Sequence, residues 1–302
     1  MTFFDYLKNI FIIFIFLQIA PSMIKNIKKQ YGRIISPRSQ VGVLNVKGIL
    51  YNSDFYNKHL NKFFKNKDIK AILVKMDCPG GASGTAQSIF NEIRSLKKQY
   101  NKPIVTLVEN ICASGGYYIA CATDYIVAPP SAIVGSIGSA FQYLFQLKEF
   151  IEQYKIGYKS ITAGKYKTTA DPFVDMTPEQ EKLLQAVLDN SYNQFTFDVA
   201  KNRKLSSKGK EQWAEGKILT GNQALKLGLI DKTGSAFDAT EVIKEKALIE
   251  DEIEWVKPKI RTGLLGLLGG QDPQEENGSM FSTFANKICT FLENRYCSKK
   301  VV

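Results

Sequence analysis

Strand and helix patterns alternate along the chain from residue 41, and this alternation limits the folds that the chain can adopt. Strand patterns cover 41–48, 69–77 and 103–109, and amphipathic helix patterns cover 54–64 and 83–100. The third strand pattern, PIVTLVE, is almost entirely apolar, which is typical of a strand buried on both faces. Repeated strand–helix–strand units of this length predict an α/β fold, with helices packed on a mostly parallel sheet.

The alternation continues less regularly beyond the third strand. We expect a helix over 114–123, a short strand over 125–128, a long helix from the N-cap Thr177 to about Arg203, and a final helix–strand pair over 235–257. The composition then changes to a Gly-rich and acidic linker, RTGLLGLLGGQDPQEENGS, followed by an apolar helical stripe over 281–296. We therefore divide the chain into residues 1–40, a main domain over 41–258, and a linker with an amphipathic C-terminal helix over 259–302.

The N-terminal part contains an uncharged apolar run from Asn9 to Ile24. As a helix, this run spans roughly 24 Å, against about 30 Å for the hydrocarbon core of a bilayer. We expect an uncleaved single-pass transmembrane helix, with a cleaved signal peptide or an interfacial helix as the alternatives. Several basic residues follow the run, and by the positive-inside rule alone they would keep the main domain in the cytoplasm.

Composition excludes several classes of site. The net charge is +11, but the basic residues are spread along the chain and form no run typical of nucleic-acid binding. One histidine and five cysteines without a CxxC pair argue against a zinc site and a disulfide framework. We therefore expect no nucleic-acid partner, no metal and no cofactor.

Three glycine-containing turns follow predicted strands: Pro79-Gly80-Gly81, Ser114-Gly115-Gly116 and Gly135-Ser136-Ile137-Gly138. Glycine lets a backbone approach a ligand closely because it has no Cβ. Ser114 begins a predicted helix, where a serine can attack a carbonyl and the N–H groups of Gly115 and Gly81 can bind the oxyanion. The pattern leaves open that Ser114 only caps its helix, or that the turn binds phosphate without a P-loop motif.

A serine nucleophile needs a base, and the chain offers few. His59 lies among polar residues of a predicted helix, so we expect a solvated side chain and no Ser-His or Cys-His machinery. The remaining candidates are Lys165 and Lys167 in the loop ITAGKYKTTADPF. Deprotonating a free lysine at pH 7 costs about 4.6 kcal/mol, most of which burial in an apolar site can remove.

Three segments together resemble one known family. MDCPGGASGTAQSI (76–89), ENICASGGYYIACATDYIVAPPSAIVGSIG (109–138) and TAGKYKTTADPF (162–173) are similar to the bacterial signal peptide peptidase family SppA, over roughly residues 41 to 257. The sequence departs from the family pattern at Asp77-Cys78, where Asn-Ser or Asn-Thr is usual, and at Ala82, which replaces a third glycine. Neither change removes a proposed backbone donor.

The resemblance implies a membrane-anchored serine endopeptidase with a Ser-Lys dyad on a ClpP/crotonase-like fold of repeated β-β-α units. It makes Ser114 the nucleophile and Lys167 the general base, and it places the oxyanion hole at Gly81 and Gly115. Ser136 matches a serine that orients the catalytic lysine, whereas Lys165 is a neighbour without a role in proton transfer.

The resemblance also implies partners and location. The chain corresponds to the short, single-domain form, in which adjacent protomers of a homo-oligomer share each site. Its substrates would be cleaved signal peptides and other unfolded or membrane-released peptides, and its catalytic domain would lie outside the cytoplasmic membrane, on the periplasmic side. This location opposes the charge count, although long domains translocate despite flanking charge. The alternatives are a crotonase-like enzyme that binds thioesters and a catalytically silent membrane scaffold.

Overall fold

The structure of the protein, a computed structural model, describes residues 14–16, 20–21, 38–141 and 144–258. The strands are β1 (Arg38–Leu50), β2 (Ile69–Gly81), β3 (Ile104–Ala113), β4 (Tyr125–Ala128), β5 (Ile133–Gly135), β6 (Ile218–Thr220), β7 (Lys232–Thr233) and β8 (Glu252–Val256). The helices are α1 (Asp54–Lys65), α2 (Ser83–Gln99), α3 (Gly115–Ala120), α4 (Lys148–Gln153), α5 (Pro178–Arg203), α6 (Lys210–Trp213), α7 (Gly221–Lys226) and α8 (Ala236–Ala247), with a 3₁₀ turn at Ser207–Gly209.

One eight-stranded sheet organises the described residues. Its main path runs β6-β5-β3-β2-β1-β8, and β4 pairs with β3 and with β7. The strand pairs are parallel except for β5 with β6. The α/β class and the mostly parallel sheet expected from the sequence are therefore confirmed.

Both faces of the sheet are covered, which explains its continuous apolar strands. One face packs against α1, α2 and α3 through a core that contains Leu44, Ile72, Phe64 and Phe90. The opposite face packs against α8, where the neighbours of the strands include Ile243. Because successive strand residues point to opposite faces, the neighbouring residues 71 to 74 supply both cores.

The long helix α5 is fixed at its two ends by different means. At its start, Thr177 and Gln180 form a reciprocal capping box. At its end, the Arg203 guanidinium donates to the Asp231 carboxylate at 2.9 Å, and the Arg203 side chain is only 8% exposed. The same carboxylate oxygen accepts the Ile126 N–H at 2.7 Å. Helix α5 is therefore tied to the sheet at strand β4.

Most predicted elements agree with the structure within a few residues, but short ones escaped the pattern. Strands β5, β6 and β7 contain two or three residues each, too few to show a period. Helix α4, of six residues, was also not predicted. These short strands matter, since β5 leads into the turn that contains Ser136.

Two predicted helices fall largely or wholly outside the described residues. They are the transmembrane helix over 9–24, of which only residues 14–16, 20 and 21 are described, and the amphipathic helix over 281–296. Within the described part of the chain, no helix combines the length and the apolar character needed to cross a membrane. The three-part division of the chain remains a prediction.

Candidate active site

Ser114 lies on a sharp turn between β3 and α3. Its φ of +50° and ψ of −123° place a residue with a Cβ in a disfavoured region, at a cost of about 1–3 kcal/mol. Two backbone hydrogen bonds hold the turn: the Ser114 N–H donates to the Gly135 carbonyl at 2.8 Å, and the Tyr118 N–H donates to the Ser114 carbonyl at 2.9 Å. The Ser114 side chain makes no capping hydrogen bond to its helix, so the structure gives no support to the capping role left open by the sequence.

The turn after β2 packs directly against Ser114. Gly80 has a φ of +114°, and a Cβ there would lie 2.8 Å from the Ser114 Cβ and 2.9 Å from the Gly115 nitrogen. Gly81 has a φ of +149°, and a Cβ there would lie 2.3 Å from the Leu50 carbonyl oxygen. Side chains are therefore excluded at both positions. Gly81, Ser114 and Gly115 together line a small pit of about 20 Å³, next to the Tyr118 ring.

A cleft of about 1030 Å³ opens above this turn. Ser114, Gly81 and Ser136 all contribute to its wall, and Ile49 and Tyr51 supply an apolar side. Helix α5 forms part of the wall through Gln185, Leu188, Asp189 and Tyr192, and Glu215 adds a second carboxylate. Among the residues that the structure describes, no lysine, arginine or histidine lines this cleft.

Ser136 occupies a second strained turn, at the end of β5. Its φ is +50°, and its N–H donates to the Lys217 carbonyl at 2.7 Å. The preceding residue, Gly135, accepts the hydrogen bond from the Ser114 N–H. The two serines therefore belong to adjoining turns that share one backbone contact, and both face the cleft.

The structure does not bring Lys167 into this cleft. Lys167 lies on an exposed stretch between α4 and α5, where its N–H donates to the Gly164 carbonyl at 3.1 Å. Lys165 is also exposed, with its ammonium 5.3 Å from the centre of the Tyr166 ring. Of the five predicted site residues, Ser114, Gly81, Gly115 and Ser136 lie together, whereas Lys167 does not line the cleft of its own chain.

His59 differs from its prediction. We expected a solvated side chain, but His59 is only 7% exposed, packs on the Phe55 ring and has its Nδ1 2.7 Å from the Phe55 carbonyl oxygen. The prediction was wrong because it relied on the polar residues next to His59 in the sequence. In the structure, His59 lies on the buried face of α1 with Tyr56 and Phe63. Its position on α1, away from the cleft wall, leaves Ser114 without a histidine partner.

The cysteines near the site are poor nucleophiles. The Cys78 sulfur lies 3.3 Å from the Gly80 nitrogen, directly below the turn after β2. Burial raises the pKa of the Cys78 thiol to about 11 and that of the Cys112 thiol well above its ordinary value. Because the reactive form of cysteine is the thiolate, both side chains remain weakly reactive near neutral pH.

Two carboxylates of the cleft, Asp189 and Glu215, were not predicted from the sequence. Asp189 sits within a long helix where charged residues are usually solvated, and Glu215 is in the turn AEGK with no distinguishing motif. A φ of +60° at Glu215 is a structural signal, since non-glycine residues rarely adopt it. The sequence alone does not predict this backbone conformation.

The model of peptidase family S49 matches residues 96–250 of the chain. That range includes Ser114, Gly115, Ser136 and Lys167, and it begins after Gly81. It covers slightly more than half of the 302 residues.

Several known proteins are similar over about two thirds of the chain. A candidate protease of Synechocystis sp. is 35% identical over 206 residues, which are 66% of this chain and 73% of the relative. A candidate protease of Methanocaldococcus jannaschii is 34% identical, with 70% of this chain and 68% of the relative covered. A candidate signal peptide peptidase SppA of Enterococcus faecium is 30% identical, with 67% and 58% covered.

The contact between Gly80 and Ser114 predicts that a single methyl group at Gly80 inactivates the protein. In Gly80→Ala the new Cβ displaces the Ser114 side chain, and a misplacement of that kind lowers the rate of peptide hydrolysis by about 100-fold. The measurement is the cleavage of an unfolded protein by wild type and variant. Gly84→Ala is the matched control, because a Cβ at Gly84 meets nothing within 4 Å. Equal activity of Gly80→Ala and wild type would contradict the packing described for this turn.

Proposed function

The chain belongs to peptidase family S49 and is a serine protease, and from that premise we propose that it is a membrane-anchored endopeptidase that uses Ser114 and Lys167 as a catalytic dyad. The observation that carries the proposal is the position of Ser114, on a strained turn at the floor of a large cleft. Gly81 and Gly115 adjoin it in the same pit. The proposed architecture is the ClpP/crotonase-like variant of the α/β class.

The proposed reaction proceeds through an acyl-enzyme. The Ser114 Oγ attacks the peptide carbonyl carbon while the neutral amine of Lys167 accepts the hydroxyl proton. The N–H groups of Gly81 and Gly115 stabilise the oxyanion. The lysine then gives the proton to the leaving amine, and a water molecule hydrolyses the ester. Ser136, next to the Gly135 carbonyl that anchors Ser114, orients the lysine. The reaction needs no metal and no cofactor.

We propose that the lysine of each site comes from a neighbouring protomer of a homo-oligomer. Lys167 is absent from the cleft wall of its own chain, and no other basic side chain of the described residues replaces it there. The stretch between β5 and α5 also exposes large apolar side chains, including Phe145 at 63% and Ile161 at 87%. Exposed apolar surface of this kind marks protein interfaces. A second copy that covers this surface would complete the site.

Anchoring and substrates form a separate part of the proposal. The apolar run over 9–24 would hold the protein in the cytoplasmic membrane, with residues 41–258 on the extracytoplasmic side. The substrates would be cleaved signal peptides and other unfolded or membrane-released peptides, as the name of the Enterococcus faecium relative suggests. Release of the full-length protein from membranes by high salt alone, without detergent, would contradict the anchor.

The dyad predicts a specific pattern of activity in mixed oligomers. Ser114→Ala and Lys167→Ala should each abolish cleavage of an unfolded protein by the detergent-solubilised enzyme. The two variants are then co-expressed with different tags and purified through both tags. Activity should return to about one quarter of wild type. The reason is that a site is intact only where one protomer supplies Ser114 and its neighbour supplies Lys167, and random assembly places the two variants in that arrangement at about one site in four. Lys165→Ala is the matched control for the loop and should remain active.

Three results would count against the proposal. Full activity of Ser114→Ala would remove the nucleophile, and full activity of Lys167→Ala would remove the base. Doubly tagged oligomers that stay inactive would place the dyad within one chain. The thioester and scaffold alternatives are set aside because the chain is a serine protease of family S49.

A further inference from the structure

The cleft that contains Ser114 also contains two carboxylates with defined neighbours. Asp189 on α5 accepts a hydrogen bond from the Gln185 side chain at 2.7 Å, through one carboxylate oxygen. Glu215 accepts a hydrogen bond from the Tyr192 hydroxyl, also through one oxygen. Both donors are neutral, so these hydrogen bonds orient the two carboxylates without bringing a positive charge to them.

The two carboxylates form one site around the Tyr192 side chain. Asp189 and Tyr192 are three residues apart on α5 and therefore share one side of the helix. The Tyr192 hydroxyl links this side to Glu215. The following residue, Gly216, donates its N–H to the Ile137 carbonyl at 2.9 Å, which joins Glu215 to the turn of Ser136. The acidic site is thus attached to the same turns that position Ser114.

No cation of the described residues neutralises this site. Neither carboxylate has a basic nitrogen within 4 Å among those residues, and no basic side chain lines the cleft. The Lys210 ammonium lies 5.0 Å from the centre of the Tyr192 ring, but Lys210 is not part of the cleft wall. The chain as a whole carries a net charge of +11. This pair of carboxylates therefore forms a negative site on a protein whose overall electrostatic field is positive.

We propose that Asp189 and Glu215 are specificity residues that bind a lysine or arginine side chain of the peptide substrate. The aliphatic stem of that side chain would lie along Leu188 and Tyr192, and its charged end would reach the free carboxylate oxygens. The enzyme would therefore select, among unfolded peptides, those with a basic residue at one fixed distance from the cleaved bond. This inference rests on the proposed function, because it concerns the cleft in which Ser114 acts.

The test uses the full-length, detergent-solubilised enzyme and a series of fluorogenic peptides. In each pair of peptides, one position carries either lysine or norleucine, which has the same stem without the ammonium group. We expect kcat/KM for lysine to exceed that for norleucine about fivefold at one position, the upper end of the range for a solvated charge pair, because two carboxylates contribute. Asp189→Asn and Glu215→Gln should each lower this ratio, and the double variant should bring it to about 1 because both charges are then absent. Glu181→Gln, on the same helix but outside the cleft, should leave the ratio unchanged.

The experiment distinguishes failure of this inference from failure of the proposed function. A lysine-to-norleucine ratio near 1 at every position in wild type overturns the inference, and so does a preference for lysine that survives in the double variant. A third result also overturns it: the double variant loses its oligomer in size-exclusion chromatography and cleaves both peptides equally more slowly. The two carboxylates would then act in assembly. Cleavage of both peptides by Ser114→Ala at the wild-type rate instead contradicts the proposed function, and the inference falls with it.

Discussion

The site depends on the close approach of three backbones at the carboxyl ends of β1, β2 and β3. A Cβ at Gly81 would lie 2.3 Å from the Leu50 carbonyl oxygen, and a Cβ at Gly80 would lie 2.9 Å from the Gly115 nitrogen, next to Ser114. Such an approach is possible because parallel strands end at one edge of the sheet and because glycine occupies the contact. The strain at Ser114 persists because hydrogen bonds from β5 and α3 hold the turn on either side.

This turn determines which parts of the chain can contribute to catalysis. Helix α5 provides part of the wall above it and is fixed to the sheet by the ion pair of Arg203 and Asp231. The wall supplies carboxylates and apolar side chains, but no lysine, arginine or histidine of the described residues. The proposed Ser-Lys dyad therefore needs its lysine from a second copy of the chain, and this requirement connects the proposed chemistry to the proposed oligomer.

The fold was largely predictable because its main strands and helices are long enough to show their period. The Ser114 and Gly81 turns were also predictable, since glycines that follow apolar strands mark close backbone contacts. His59 was predicted wrongly, because its polar neighbours hid the buried face of α1. Lys167 could be singled out only by resemblance. Asp189 and Glu215 could not be found, since their placement depends on how α5 packs near a distant turn.

Hydrolysis by the proposed mechanism requires that the Ser114 Oγ is acylated. The most direct measurement mixes the full-length enzyme with a p-nitrophenyl ester of a short peptide, quenches the reaction with acid and locates the adduct by mass spectrometry of the digested protein. We expect an acyl group on the peptide that contains Ser114, together with a burst of p-nitrophenol that Ser114→Ala lacks. An adduct on another residue, or a burst of the same size from Ser114→Ala, would contradict it.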